Sequence, residues 1–428
     1  MNNLIVEKIN EFMDLYCKTW PFSGSILVSQ KGQAIFKKGY GLASHEYNIP
    51  NTAQTKHRIC SITKQFTAMA IMILQERGLL NVQDKANKYM AEYKELDERI
   101  TIHHLLTHTS GLQYLFGSDF EKSLNNPKHK HEYMINMFKD LPLLCKPGQA
   151  WNYSNFGYYL LGCIIENVSG ISYDEFLQQN IFKPLNMNDT GVERDKKIIQ
   201  GLATGYYLNG DEIIRHKYMN VDLAFGSGDI YSTVEDMLLW DKALYTEELV
   251  SKKTLDLVFT PYANSGETGS EDNDYGYGWF IEKKYGRDRI SHGGGGLGFI
   301  TEFHRYVTEE ISIIVLSNYG FTAVWRISEI IAAILFQEEY SFPSKPLQYS
   351  LEPGLYESYI GTYKGDIEKL DVKQENGKKF FVIDDEYVIP MFPISENRFH
   401  HSWIDESYVF SKDENGDLYF CGIKKTDI

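Results

Sequence analysis

A serine and a lysine three positions apart are the first residues of this sequence that could do chemistry together. Ser61 and Lys64 stand in the segment SITK, where a long apolar run begins. Residues i and i+3 share one face of a helix, so a helix that starts at the serine would place the hydroxyl beside the amine. A serine hydroxyl is a weak nucleophile that needs a nearby base. The spacing therefore indicates a nucleophile with its base. An N-cap serine followed by a solvated lysine is the alternative interpretation.

Lys64 can act as a base only when it has lost its proton. Burial and the positive end of a helix both lower the pKa of a lysine. The run KQFTAMAIMILQERG has apolar residues at spacings of three and four, which predicts a buried helix that ends at Gly78. The sequence thus predicts an environment that favours a neutral amine.

A tyrosine and an asparagine form the second candidate group. Tyr153 and Asn155 lie in PGQAWNYSNFGYYLLG, on a loop before a predicted helix. The phenol could relay a proton between the serine and a leaving group if a lysine ammonium stabilised its phenolate. The amide could face the same space. The alternative is a turn whose aromatic ring packs on the core.

The third candidate group is a histidine followed by glycines. His292 precedes four glycines in RISHGGGGLGF, after a β-rich run. Glycines allow a strand to approach a ligand closely and leave backbone N–H groups free to point at an oxyanion. A flexible hairpin turn is the alternative for this segment.

These three motifs, in this order, resemble the serine β-lactamase and penicillin-binding protein superfamily. Within it, the sequence is most similar to class C β-lactamases, D-alanyl-D-alanine carboxypeptidases, D-aminopeptidases and related esterases. The similarity covers roughly residues 15–340 and includes TIHHLLTHTSGL at 101–112 and GSGDIYSTVEDM at 226–237. The C-terminal part resembles the small lipocalin-like β domain that some members carry.

The resemblance implies catalytic roles for three side chains. Ser61 would be the acylated nucleophile, and Lys64 its base or proton relay. Tyr153 would be a second proton-transfer group. We therefore expect a hydrolase that works without a metal ion or an organic cofactor.

The resemblance also implies which residues would hold the substrate. Asn155 would donate to the substrate carbonyl, and His292 would line the opposite wall together with Gly293 and Gly294. The oxyanion hole would consist of the backbone N–H groups of the nucleophile and of Gly295.

The third motif departs from the pattern of many relatives, which have lysine, threonine and glycine at the positions of His292, Gly293 and Gly294. A lysine is a permanent cation that can hold a substrate carboxylate, whereas a histidine with a pKa of about 6.5 is mostly neutral at pH 7. The glycine also lacks the threonine hydroxyl. Peptidase or esterase activity is therefore favoured over efficient β-lactam turnover.

Two other sets of residues could carry chemistry. Cys60 adjoins Ser61, but nothing at helical spacing offers it a base, so we expect a packed thiol. His104 and His108 have the i, i+4 spacing of zinc ligands, but no glutamate follows the first histidine. Structural packing is the favoured interpretation of both histidines, and a metal site is the alternative.

Composition and charge exclude several classes of protein. The 428 residues are 43% hydrophobic and 24% charged, as in folded globular proteins. A formal net charge of −15 disfavours nucleic acid as a partner. No apolar run approaches the roughly 20 residues that span a bilayer. The segment MNNLIVEKINEFMDLYC is typical of an amphipathic helix and not of a secretion signal. We expect a cytoplasmic protein, or an extracytoplasmic one if a leader has been removed.

The order of predicted elements indicates an α+β fold. β-rich runs near both ends of residues 1–342 flank helical patterns, so we expect one antiparallel sheet flanked by helices, with an all-helical subregion. Residues 343–354 are rich in proline and lack periodicity, which predicts a linker. Short alternating segments in 355–428 predict a small antiparallel β domain. That domain could support the first, make oligomer contacts or shape the edge of a cleft.

We therefore expect a serine hydrolase that forms an acyl-Ser61 intermediate and cleaves amide or ester bonds. Its substrate would be a small molecule or a peptide, with β-lactams among the candidates. The alternative is a non-hydrolytic penicillin-binding or sensor protein of the same fold.

Overall fold

The computed structural model describes residues 2–90, 93, 96–113, 131–138, 140–266, 273–365, 369–383 and 387–426. Within these ranges, no helix is both long enough and apolar enough to cross a lipid bilayer. The α-helices of these ranges are α1 (Asn2–Thr19), α2 (Thr63–Glu76), α3 (Ile102–Leu106), α4 (His131–Phe138), α5 (Asn155–Ser169), α6 (Tyr173–Leu177), α7 (Val234–Ala243), α8 (Lys252–Val258), α9 (Val324–Phe336) and α10 (Leu355–Tyr359).

The strands fall into two large groups, one before and one after residue 343. The strands are β1 (Gly24–Gln30), β2 (Gln33–Tyr40), β3 (Leu42–Ser44), β4 (Ile49–Pro50), β5 (His57–Arg58), β6 (Gly191–Val192), β7 (Tyr206–Asn209), β8 (Glu212–Arg215), β9 (Ile230–Ser232), β10 (Ala263–Asn264), β11 (Asp274–Tyr275), β12 (Phe280–Lys284), β13 (Arg287–Gly296), β14 (Phe299–Tyr306), β15 (Ile311–Ser317), β16 (Gly361–Lys364), β17 (Lys369–Glu375), β18 (Lys378–Ile383), β19 (Tyr387–Pro393), β20 (Arg398–His401), β21 (Ser407–Lys412), β22 (Leu418–Phe420) and β23 (Ile423–Thr426).

Strands from distant parts of the chain form one eight-stranded sheet in the order β10-β11-β12-β13-β14-β15-β1-β2. Every neighbouring pair is antiparallel, and β1 pairs with β15 from Gly24 opposite Ser317 to Gln30 opposite Ile311. This arrangement confirms the predicted α+β fold with one antiparallel sheet. It also places β13, which carries the glycine-rich motif, inside the sheet instead of in a flexible turn.

The side chains of β1 alternate between two apolar cores. Ile26 and Val28 pack in the core that also holds residues of α1 and α9, whereas Leu27 packs in the core that holds residues of α2 and α5. Successive side chains of a strand point to opposite faces, so helices cover both faces of the sheet. Phe66 and Leu74 of α2 are fully buried. Each contributes about 1.5–3 kcal/mol of transfer free energy, which holds this helix against the sheet.

The chain bends sharply just before α2. Cys60 has a φ of +49°, in the left-handed region, and Ser61 follows it in the 3-10 turn Cys60–Ile62. A residue with left-handed backbone cannot continue a right-handed helix. The α-helix begins at Thr63, after this 3-10 turn, whereas the sequence interpretation considered a helix that starts at Ser61. Ser61 stands on the turn that leads into the helix and not on its first residue.

Strand β13 passes directly against this turn. A Cβ atom on Gly294 would lie 2.5 Å from the carbonyl oxygen of Ile59 and 2.8 Å from the backbone nitrogen of Ser61. Thr301 of β14 adds a hydrogen bond, because its hydroxyl donates to the same Ile59 carbonyl at 3.0 Å. Close approach of two backbones, and not a positive φ, therefore requires glycine at position 294.

The C-terminal strands form a closed antiparallel barrel from β16 to β23, and β23 closes on β16 with Thr362 opposite Thr426. Aromatic side chains fill its core, including Tyr363, Phe399 and Phe410. This confirms the predicted C-terminal antiparallel β structure. The division of the chain into 1–342, a linker at 343–354 and 355–428 stays a prediction.

Gly294→Ala tests the close approach of β13. We expect the new methyl group to lower the free energy of unfolding by about 1–3 kcal/mol, because the Ile59 carbonyl and the Ser61 nitrogen are backbone atoms that cannot rotate away. The measurement is the urea concentration at the midpoint of unfolding. Gly295→Ala is the matched control, since a Cβ atom there meets nothing within 4 Å. Equal midpoints for the two variants would contradict the prediction.

Candidate active site

Ser61 lines two cavities of different size. One has a volume of about 390 Å³ and the other about 1060 Å³. Gly295 also lines both cavities. A carbonyl group placed at the Ser61 hydroxyl could therefore extend substituents in two directions, with the glycine-rich strand beside it.

Lys64 is fully buried, and its amine contacts three oxygen atoms. Its Nζ lies 3.1 Å from Ser61 Oγ, 2.7 Å from Asn155 Oδ1 and 2.9 Å from the carbonyl oxygen of Ser227. Burial lowers the pKa of Lys64 well below its usual value, and nearby acidic groups oppose this only in part. The environment therefore favours the neutral amine.

The three contacts of Lys64 suit a neutral amine that faces a hydroxyl. A neutral amine has two N–H groups and one lone pair. The oxygens of Asn155 and Ser227 can only accept, so they take the two N–H groups. The lone pair is then left for the O–H group of Ser61. In this state, the pair can pass a proton from the hydroxyl to the amine.

The N-terminus of α5 presents the second motif. Ser154 caps this helix by accepting from the Gly157 N–H at 3.1 Å, and Asn155 is its first residue. The Tyr153 ring precedes the cap, and its centroid lies 4.8 Å from Lys64 Nζ. The structure thus brings Tyr153 and Asn155 to the same amine, and Tyr153 also lines the larger cavity.

His292 is buried in the wall of the larger cavity. Its Nδ1 lies 2.6 Å from the Gly293 carbonyl oxygen, and its Nε2 lies 3.0 Å from the Tyr275 hydroxyl. A carbonyl oxygen can only accept, so Nδ1 carries the hydrogen and Nε2 accepts from the tyrosine. Burial is the main cause that lowers the pKa of His292, to about 3. This residue is therefore neutral at pH 7.

The glycines of the third motif differ in their surroundings. A Cβ atom on Gly293 would lie 3.1 Å from a carboxylate oxygen of Glu302, whereas Gly295 faces open space. Gly294 is the one that lies against Ser61. The roles of Gly295 and Ser61 as an oxyanion hole stay a prediction.

The sequence interpretation gave no role to Ser227, and it favoured structural packing for His108. Ser227 contributes only its backbone carbonyl, which any residue could supply. Gly226, which precedes it, has a φ of +65° and is the sequence feature that indicates a turn here. His108 packs its ring 4.3 Å from the Tyr153 ring, and its Nδ1 accepts from the Ser154 N–H at 3.0 Å. It therefore holds the loop that carries the second motif.

The other candidates lie in structural positions. Burial raises the pKa of the Cys60 thiol to about 12, which leaves it unreactive at neutral pH. His104 completes the cap of α3, since its Nδ1 accepts from the Thr101 N–H. In the described part of the chain, no group of three or more His, Cys, Asp and Glu side chains is arranged to hold a metal ion.

An antiparallel sheet between helices, with a Ser-x-x-Lys pair at the start of a buried helix, defines the fold class of the serine β-lactamases and transpeptidases. A family model described as Beta-lactamase matches residues 11–334. The chain belongs to this family.

Similar proteins are named as penicillin-binding proteins. Penicillin-binding protein 4* of Bacillus subtilis (strain 168) is 31% identical over 400 residues, which cover 88% of this chain and 87% of that protein. The solved structure of an octameric penicillin-binding protein homologue from Pyrococcus abyssi has a TM-score of 0.68 and 26% identity, and the match covers 98% of this chain and 99% of that one. A D-amino acid amidase from Ochrobactrum anthropi SV3 shares the fold, with a TM-score of 0.67, 21% identity and coverage of 78% and 99%.

Lys64→Met tests the neutral state of the amine. Between the lowered folded-state pKa of Lys64 and its unfolded value of about 10.4, the unfolded chain binds a proton that the folded chain does not. The free energy of unfolding should therefore rise with pH in this window, by up to about 1.4 kcal/mol per pH unit, and Lys64→Met should lack this component. The measurement is the difference between the two proteins in urea unfolding from pH 8 to 10. A difference that does not change with pH would contradict the prediction.

His292 should remain neutral, with hydrogen on Nδ1, from pH 5 to 8, because its folded-state pKa is about 3. Nitrogen-15 spectra of histidine-labelled protein measure this directly. The signals are assigned by their loss in His292→Gln. Signals that move with a midpoint near pH 6.5 would show a solvated imidazole instead.

Proposed function

We propose that this protein is a serine hydrolase that forms an acyl-Ser61 intermediate and cleaves amide or ester bonds. The observation that carries the proposal is the buried amine of Lys64, 3.1 Å from Ser61 Oγ and with its pKa lowered by burial. A serine with an adjacent neutral base is an activated nucleophile. Membership of the Beta-lactamase family supports the same chemistry.

The acylation step follows from these positions. Ser61 Oγ attacks the carbonyl carbon of the substrate while Lys64 Nζ takes its proton. The N–H groups of Ser61 and Gly295 would stabilise the oxyanion. The bond to the leaving group then breaks, and the leaving group takes a proton from Tyr153, which would regain one from the Lys64 ammonium.

Deacylation uses the same groups with water as the nucleophile. Water attacks the ester carbonyl as its proton passes to the neutral Lys64 amine, and the bond to Ser61 Oγ breaks as the Lys64 ammonium returns that proton to the serine. Asn155 serves both steps. Its Oδ1 accepts from Lys64 Nζ, which leaves its NH₂ group to donate to the substrate carbonyl.

The protonation state of His292 affects which substrates the site can bind. A neutral imidazole that already donates to the Gly293 carbonyl offers no fixed positive charge to a carboxylate. Substrates without a free carboxylate beside the scissile bond, such as small esters and amides, are therefore favoured. The name of the B. subtilis relative keeps β-lactams among the candidate acyl donors.

The altered third motif, with His292 at the position where many relatives have a lysine, also motivates a second candidate function. A site that acylates but does not deacylate would make a non-hydrolytic penicillin-binding or sensor protein. Product release separates the two functions, because the sensor would label stoichiometrically without turnover.

Ser61→Ala tests the proposal. We expect a fluorophosphonate probe to label the wild-type protein and not this variant. We also expect hydrolysis of p-nitrophenyl acetate, a chromogenic cephalosporin or a D-alanyl peptide to fall by at least about a thousandfold, because removing the nucleophile removes the acyl-enzyme. Cys60→Ala is the matched control, since it alters the neighbouring buried thiol and should keep the label. Equal labelling of wild-type protein and Ser61→Ala would overturn the proposal.

A further inference from the structure

The two cavities at Ser61 differ in chemistry. The smaller cavity, of about 390 Å³, is lined largely by apolar and aromatic side chains, and its volume falls in the range of roughly 300–1,000 Å³ of small-ligand sites. Among these are Phe138, Phe156, Tyr159, Val221 and Leu223. The larger cavity has charged side chains, including Glu282, Arg289 and Glu302.

The positions of Tyr153 and Asn155 indicate which part of the substrate each cavity would hold. Tyr153 lines the larger cavity, where it would protonate the leaving group. Asn155 lines the smaller cavity, where its amide would meet the acyl carbonyl. The leaving group would thus depart through the larger cavity, and the acyl group would remain in the apolar one.

The C-terminal barrel supplies part of the wall of the apolar cavity. Tyr387, the first residue of β19, lines this cavity together with Tyr207 and His216. The Tyr387 and Tyr207 rings have centroids 5.0 Å apart, and the Tyr207 ring lies 5.2 Å from that of His216. Three rings in contact, one of them from the barrel, form one side of the cavity.

Backbone and ionic contacts hold the barrel in this position. The Gly210 N–H donates to the Val388 carbonyl at 2.9 Å, and the Val388 N–H donates to Asn209 Oδ1 at 3.3 Å. Lys378 pairs with Asp211 at 2.6 Å. These contacts join β18 and β19 to the hairpin of β7 and β8, so the residue that carries the Tyr387 ring is tied to the hairpin that carries Tyr207.

We propose that the C-terminal barrel completes the acyl-group subsite through Tyr387, and that this residue selects esters and amides with bulky apolar acyl groups. The inference rests on the proposed function for its chemistry. Differences of a methylene in an apolar pocket change kcat/KM by roughly tenfold or more, so loss of one aromatic wall should be measurable.

The experiment compares p-nitrophenyl phenylacetate with p-nitrophenyl acetate on the full chain. The ratio of their kcat/KM values should favour phenylacetate in the wild-type protein and fall about tenfold in Tyr387→Ala. Tyr387→Phe should keep the ratio, because it keeps the ring. Tyr419→Ala is the matched control: it removes a tyrosine of the same barrel that is paired with Asp413 and does not line the cavity. If Tyr387→Ala does not fold, Tyr387→Trp should lower the ratio by narrowing the cavity.

A binding measurement keeps this inference separate from the proposed function. Phenylacetamide should bind to Ser61→Ala, and its Kd from a nuclear magnetic resonance titration should rise about tenfold when Tyr387→Ala is added. An unchanged ratio and an unchanged Kd would overturn the role of the barrel, even with Ser61-dependent hydrolysis intact. Weakened binding in a protein that hydrolyses no ester would support the subsite and count against the proposed function alone.

Discussion

The arrangement around Ser61 depends on one constraint, which is the burial of the Lys64 amine. An amine without water must find partners inside the protein, and here an amide oxygen, a backbone carbonyl and a serine hydroxyl surround it. These partners come from α5, from the turn at Ser227 and from the turn before α2. The three segments must therefore pack together before the amine can be held neutral beside the nucleophile, and stability of the core and activation of the serine share the same contacts.

Close packing at this point explains two glycines that lie far apart in the sequence. A Cβ atom on Gly278, which has a φ of +81°, would lie 2.8 Å from the Lys64 carbonyl oxygen, and one on Gly294 would overlap the backbone before Ser61. Neither position could hold a larger residue without moving α2 or the turn that leads into it. The glycines thus let the sheet and α2 approach closely enough to exclude water from the amine.

Features with a local pattern could be predicted from the sequence. The apolar spacing after Lys64 predicted α2, and the short alternating segments of 355–428 predicted the C-terminal antiparallel strands. The contribution of Ser227 could not be predicted, because a backbone carbonyl has no residue signature. The start of α2 at Thr63 was also missed, since the residue types at Cys60 and Ser61 do not mark a left-handed backbone or a 3-10 turn. The place of Tyr387 in the wall of the smaller cavity depends on how the barrel packs, and no periodicity contains that information.

The barrel has its own apolar core, so it does not need the contact with β7 for burial alone. Its contacts with the larger part of the chain are nevertheless specific. Trp20 stacks on His400 with ring centroids 5.2 Å apart, and Arg326 pairs with Asp405 at 2.6 Å. These contacts involve residues outside the hairpin of β7 and β8, and contacts in addition to those with the hairpin restrict rotation of the barrel. The proposed cavity wall that includes the Tyr387 ring needs that restriction, because a radial gap of about 0.5–1 Å already removes roughly a quarter to a half of the dispersion attraction between the ring and the group it contacts.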